Sequence, residues 1–252
     1  MEASEAPLSV ADMAWHLGRL VAFDVESTGV NPEHDRIVTA AISVVGGGQP
    51  SVHRSWLLDP GIEIPVGATA VHGISTEQAR AEGRSAPEAI QEITAELAAQ
   101  LLRGVPVIAF NARFDLTMLD REALRHGLAP LQRRVGGEDG MLVVDPHVLD
   151  KQFDRFRRGK RTLGAVCEHY RVPLDQAHAA GADALAAARL AYRLGSTVSE
   201  LQAADLRTLH SQQIAWAAAQ AASLQDYFRQ QGREDCVEGA WPVVPQRLAN
   251  AA

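Results

Sequence analysis

Asp24 and Glu26 close an apolar run, Leu20-Val21-Ala22-Phe23, that ends at the turn residues Ser27, Thr28 and Gly29. Such a run reads as a buried β-strand, and side chains two apart on a strand share a face. Two carboxylates side by side on a mostly buried strand repel each other and lose hydration. A hard cation such as Mg²⁺ or Mn²⁺ would relieve both costs. Taken alone, D-x-E reads more simply as two unrelated surface acids. A second acidic motif, Asn111-Ala112-Arg113-Phe114-Asp115, follows the apolar stretch Val105–Phe110. Asn111 suits a helix N-cap, its side chain satisfying free backbone N–H groups. Asp115 would lie one turn inside, where the helix dipole favours an acid by ~0.3–1 kcal/mol. Both motifs fall at the carboxyl ends of strands, where α/β sheets collect ligands. The third is His178-Ala179-Ala180-Gly181-Ala182-Asp183. Within one helix its two ends would point roughly 140° apart at 3.6 residues per turn. Gly181 and the Pro173–Gln176 stretch suggest instead a loop carrying His178 and a new helix with Asp183 in its first turn.

The elements that must hold these groups follow from periodicity. Strands are expected near 19–25, 36–46 and 51–58, the last two joined as a hairpin by Gly46-Gly47-Gly48. Pro60 to Gly73 reads as a loop. Helices follow near 75–81 and 86–103, the second with Ile90, Ile93, Leu97 and Leu101 at helical spacing. A strand over 105–110 runs into a helix near 112–126, and Leu142-Val143-Val144 is a short strand ending at Asp145, an N-cap for the next helix. Further helices are expected near 146–155, 162–169 and 180–195. Three strands and then alternating helices and strands give an α/β fold, a mixed sheet covered by helices.

Phe23–Gly29 (FDVESTG), Asn111–Asp115 (NARFD) and His178–Asp183 (HAAGAD) together resemble the DEDD superfamily of 3′→5′ exonucleases in its histidine-containing branch, which includes the proofreading epsilon subunit of bacterial DNA polymerase III. The loop Ala70–Ser75 is also similar to the family segment between the first two motifs. Ser27 stands where the family commonly has Thr, and Ala179 and Ala180 are plainer than usual. The resemblance covers roughly residues 19–195 and implies a ribonuclease H-like sheet flanked by helices. It implies that Asp24, Glu26, Asp115 and Asp183 hold two Mg²⁺ or Mn²⁺ ions, with Asp24 bridging, and that His178 is the general base. It further implies that Thr28, Gly29, His72 and Asn111 contact the terminal nucleotide. The substrate implied is a single-stranded or frayed 3′ end of DNA, with RNA as the alternative. A nuclease fold kept only for docking to a polymerase is the reading from another class, and the full set of acids with the histidine argues against it.

The rest of the chain bounds this reading. Its 252 residues are 46% hydrophobic and 22% charged, and its net charge of −7 is no obstacle when carboxylates gather on purpose. The segment KQFDRFRRGKR (151–161) interleaves Phe153 and Phe156 with six cations, as a phosphate-holding surface or as a solvated face. No apolar stretch is long enough for a membrane span. The opening Met1-Glu2-Ala3-Ser4-Glu5 lacks the features of a signal peptide, so a cytoplasmic enzyme is expected. Residues 1–18 read as a polar or weakly helical leader, 19–195 as the exonuclease domain, and 196–252 as a C-terminal helical extension and tail. In the extension, Leu201, Leu206, Leu209, Ile214 and Ala218 suggest one amphipathic face, ended by Gly232. That helix is expected either to pack on the core as a lid or, if Trp216 and Trp241 are exposed, to dock a polymerase or a second copy.

Overall fold

The computed structural model describes residues 14–174 and 179–246. Strands β1 (Arg19–Ser27), β2 (Ile37–Gly46) and β3 (Val52–Asp59) form an antiparallel meander. Helices α1 (Val66–His72), α2 (Thr76–Glu82) and α3 (Ala86–Leu102) follow, with the two-residue strand β4 (Arg84–Ser85) between α2 and α3. Next come β5 (Val107–Ile108), α4 (Ala112–Arg125), α5 (Leu131–Arg134), β6 (Val143–Val144), α6 (Pro146–Phe153), α7 (Leu163–Tyr170), α8 (Ala180–Thr197), α9 (Ser199–Gln202) and α10 (Leu206–Gln230). Among the described residues the strands make one mixed sheet in the order β4-β3-β2-β1-β5-β6, with β5 parallel to both β1 and β6. The carboxyl ends of β1, β5 and β6 therefore lie along one edge.

Alternation along β1 sorts its side chains between two layers. Val21, Phe23 and Val25 join Ile90, Ile93 and Leu97 of α3 and Leu116 and Leu119 of α4 in one core. Leu20 and Ala22 face the other way, into a cluster with Ala184, Ala187, Ala188 and Ala191 of α8. Asp24 and Glu26 continue the second series, so the period of a strand alone delivers both carboxylates to the α8 face. The alanines on α8 let its backbone lie close to the sheet, which carries the helix N-terminus toward those acids. Each large apolar side chain buried in these layers contributes about 1.5–3 kcal/mol, so the position of the acids is set by many such contacts.

Several expectations change. The stretch read as a loop contains α1, which ends at Gly73 in the left-handed conformation (φ 80°). The 105–110 strand shrinks to a two-residue ladder, because β5 needs only to bridge β1 and β6. The end of the expected leader is core: Trp15 is buried and its Nε1 donates to Leu201 O at 2.7 Å.

The basic run is divided in its duties. Arg157 and Arg161 both donate to the buried Asp150 (2.7 and 2.6 Å), and Phe153 packs edge-on against Trp216, while Phe156 is exposed. In the extension α10 forms and Gly232 follows it with φ 70°, but Ile214 is exposed and the buried stripe is Leu209, His210, Gln213, Ala217 and Ala221. Two polar side chains belong to the inward face because they serve the edge of β6: Gln213 Nε2 donates to Val143 O, and its Oε1 accepts from Asp145 N at 2.7 Å. His210 Nδ1 accepts from Val143 N. With these bonds α10 stands in for a further strand. Trp241 is 5% exposed, and the chain around it returns to α4, where Val244 N donates to Thr117 Oγ1 and Arg121 donates to Val244 O. The extension packs on the core.

Candidate active site

Asp24 and Glu26 lie on the last turn of the pleat before a register shift between Glu26 and Ser27. Such an irregularity re-aims side chains at a strand end. Asp183 sits in the first turn of α8, whose start at Ala180 agrees with a new helix after the Pro173–Gln176 stretch. One carboxylate oxygen from each of Asp24, Glu26 and Asp183 comes within 4.8 Å of the others. Asp115 is buried in the first turn of α4, and its Oδ1 accepts from Val25 N at 3.1 Å, so it is pinned between the two acids of β1. It adds its charge to theirs without joining the group of three.

The electrostatics are those of an uncompensated cluster. Burial and the charges of Asp115, Asp183 and Glu26 push Asp24 well above the ordinary carboxylate range. Burial and Asp183 raise Glu26 to about 7. Burial also raises Asp115, against the pull of its backbone hydrogen bonds. Among the described residues, the side chains of Asp24 and Glu26 have no hydrogen bond to a donor and no ion pair. Four acids so placed are costly unless a cation shares them. Their donors are oxygen only, which fits a hard divalent ion such as Mg²⁺ or Mn²⁺. The residues present thus fit the metal that the sequence implies.

The turn after β1 is built as a rigid rim. Ser27 Oγ donates to Gly29 O, Thr28 Oγ1 donates to Asp35 Oδ1 at 2.9 Å, and Thr28 Oγ1 also accepts from Arg36 N. A Cβ on Gly29 would fall 2.5 Å from the Asp35 carboxylate, so any other residue there would push that carboxylate off the Thr28 hydroxyl. Thr28 is 3% exposed, with its N–H donating to Arg36 O and its hydroxyl engaged in the turn, which leaves Gly29 at the rim. Buried Arg121 ties this loop to α4 through Glu33 at 2.7 Å. His72 ends α1; its Nδ1 accepts from Ile74 N, its Nε2 is buried without a hydrogen bond, and burial lowers its basicity. Phe114 is half-buried against the α3/α4 core. His178 lies outside the described residues.

Asn111 occupies the N-cap position of α4 in the left-handed conformation (φ 64°), but its side chain caps nothing. The capping acid comes from the next strand. Asp145 accepts from Asn111 N and Ala112 N, both at 2.9 Å, from His147 N at 2.9 Å, and from Trp241 Nε1 at 3.2 Å. The sequence does suggest Asp145 as the cap of α6. Nothing local suggests that it also caps α4 and receives a tryptophan from the extension, because those partners are 33 and 96 positions away.

Comparison with known proteins agrees with this geometry. The exonuclease family model RNase_T matches residues 21–191. A protein of Lacticaseibacillus paracasei called DNA polymerase III PolC-type is 26% identical over 189 residues, 72% of this chain and 12% of its own length. One of the same name from Streptococcus agalactiae is 26% identical over 184 residues, 72% of this chain and 11% of its own. The chain therefore spans about an eighth of these curated relatives. Among solved structures, one titled as showing how exonuclease I achieves processivity superposes with a TM-score of 0.63 at 18% identity, covering 73% of this chain and 42% of the other. Escherichia coli exonuclease I in complex with a dT13 oligonucleotide gives 0.60 at 19%, covering 71% and 41%. These structures share the ribonuclease H-like fold described above.

Proposed function

This chain belongs to the RNase_T family of exonucleases, and from that premise we propose that it is a metal-dependent 3′→5′ exonuclease releasing nucleoside monophosphates from DNA ends. The observation that carries the reading is the convergence of Asp24, Glu26 and Asp183 within 4.8 Å, beside the buried Asp115, with no cationic side chain paired with Asp24 or Glu26 among the described residues. These four residues would hold two divalent ions. When bound, such a pair supplies water activation and neutralises charge building on the scissile phosphate. The fold does the rest by position. Asp115 is locked to Val25 N, so the β1 and α4 acids cannot drift apart. Gly29, braced from behind by Thr28, offers a narrow rim for the terminal sugar, and His72 and Asn111 flank the same edge. His178, two positions before the first residue of α8 in the sequence, is the general base for the attacking water; an imidazole of ordinary pKa near 6.5 suits that duty at neutral pH.

Replication-associated proofreading or repair-type end trimming is the setting we assign. It is supported by the relatives named as DNA polymerase III PolC-type and by the oligonucleotide-bound structural neighbour. Among the described residues no helix is long and apolar enough to cross a membrane. The test is a pair of single strands, one labelled at the 3′ end and one at the 5′ end, offered as DNA and as RNA with Mg²⁺, Mn²⁺ or EDTA. Release of the 3′ label as mononucleotide, stepwise shortening of the 5′-labelled strand, and loss of both in EDTA are expected. Faster trimming of RNA would move the substrate to RNA, and release of the 5′ label first would overturn the polarity.

A further inference from the structure

A groove of about 380 Å³ lies between α6, with the turn after it, and α10, and it continues inward into a recess of about 90 Å³ beside Asn111 and Asp145. Its inner end is therefore on the same sheet edge as the carboxylates. It lies beyond β6, two strand spacings or roughly 10 Å from β1. One wall carries Lys151 and Arg155, and the other carries Gln220, Leu224 and Tyr227 of α10. Residues 206–230 lie beyond the span matched by the family, so half of this groove is a feature of the extension.

The charges can be followed group by group. Asp150 is held by Arg157 and Arg161, Asp154 is paired with Arg157, and Asp145 is saturated by four N–H donors. That leaves Lys151 and Arg155 without a carboxylate partner among the described residues. Arg155 only stacks over Phe156, 5.9 Å from its ring centre. Two free cations facing a groove are unexpected in a chain of net charge −7, and they are what a phosphodiester backbone seeks. Opposite them, Tyr227 is 55% and Leu224 40% exposed, an aromatic and apolar wall at the height of a base.

We propose that this groove is a strand-binding track: Lys151 and Arg155 hold phosphates of the single strand upstream of the scissile bond, and Tyr227 receives a base. The track rests on the nuclease reading for its substrate and adds to it a site built by the C-terminal extension. It lets the enzyme hold a polymer more tightly than its last nucleotide alone.

The experiment is fluorescence anisotropy of labelled dT12 in EDTA, where no cleavage occurs. Lys151→Gln/Arg155→Gln is expected to weaken binding about tenfold at low salt. It should also flatten the slope of log K against log salt by about 1.4, the value for two lost contacts on a single strand at 0.7 each. Tyr227→Ala is expected to weaken binding with the salt slope unchanged. A control pair on the far side of the molecule, Arg80→Gln/Arg103→Gln, should change neither. Hydrolysis of a one-nucleotide substrate, the p-nitrophenyl ester of thymidine 5′-monophosphate, should keep its kcat and KM in all variants. Arg155→Gln alone gives the readout if the double variant unfolds. Binding by the double variant equal to the control pair, or equal weakening in the control pair, overturns the track. Groove-dependent binding without hydrolysis of dT12 in Mg²⁺ would overturn the active-nuclease reading and leave the track standing.

Discussion

Two sets of acids share one edge of the sheet, at the ends of β1 and β6. At β6, Asp145 receives three backbone N–H groups and the Trp241 indole, and its carboxylate fastens α4, α6 and the extension together. At β1, Asp24, Glu26 and Asp183 face one another, and the backbone donors, Val25 N among them, go to their neighbour Asp115. Asp145 is fully buried and the acids of the β1 set are half-buried, at similar strand positions; the difference that matters is the supply of N–H groups among the described residues. A buried acid surrounded by donors is part of the scaffold. A half-buried set in which Asp24 and Glu26 receive no donor among the described residues stores repulsion that an added cation can release. The same sheet edge thus carries a built-in counterpart at one strand and a place for an external one at another.

The contrast can be broken most sharply with matched substitutions. Asp24→Asn should lower exonuclease kcat by at least about 10³-fold, the scale of losing a central electrostatic group, yet stabilise the metal-free protein by about 1 kcal/mol, or roughly 2–4 °C in Tm. Asp145→Asn should do the reverse. It strips charge from four hydrogen bonds and sets an amide N–H₂ against donors, costing about 2–4 kcal/mol and about 5–15 °C, with residual activity in whatever remains folded. Thermal melts in EDTA beside single-turnover rates in Mg²⁺ give both readings, and a destabilised Asp24→Asn would end the comparison. His178→Ala should reduce kcat by about 10²–10⁴-fold while metal affinity, read by calorimetry, is retained. Equal loss of both would remove His178 from the role of base.

The smallest effects are in pH dependence, and the two sets have opposite signs. Glu26 is raised from 4.5 to about 7, so the fold binds its proton more tightly than the unfolded chain does. Its contribution is complete below about 4.5 and is lost as pH rises through about 7. Glu26→Gln should lessen the decline between about 4.5 and 7 in EDTA, Asp24 and Asp115 keeping their share, and excess Mg²⁺ should mask it in the wild type. His147, beside Asp145 and packed on Phe110 at 5.2 Å, is lowered from 6.5 to about 3, mainly by burial. Its contribution is complete above about 6.5 and is lost as pH falls toward 3, so His147→Phe should flatten the acid limb of Tm against pH. A Tm profile unchanged by either substitution would show that neither group senses the environment described.

Much of this molecule could be read along the chain. The alternation of Leu20 through Glu26 decided which face the acids take, and the expected new helix after Pro173–Gln176 placed Asp183 in its first turn, with Gly181 inside that helix. The three motifs with their order then pointed to one family. What stayed hidden involved partners far apart in sequence. Asn111 looked like a self-sufficient cap, but the cap is Asp145, because a carboxylate at the end of the neighbouring parallel strand reaches two N–H groups that one amide side chain in the left-handed conformation does not. Gln213 and His210 carry no local signal for burial on α10, because their partners are on the edge of β6. Periodicity over that helix therefore chose Ile214 and Ala218 where the fold buries Gln213 and Ala217. Trp241 could not be assigned to core or surface until the tail was seen to return to α4.

Local pattern determined the strand, its two acids and their face, since side-chain direction on a strand depends only on a period of two. Tertiary structure alone decided which buried acids are satisfied and which are not, since hydrogen-bond donors arrive from whichever elements packing brings near. On that difference the separation of scaffold from candidate active site depends.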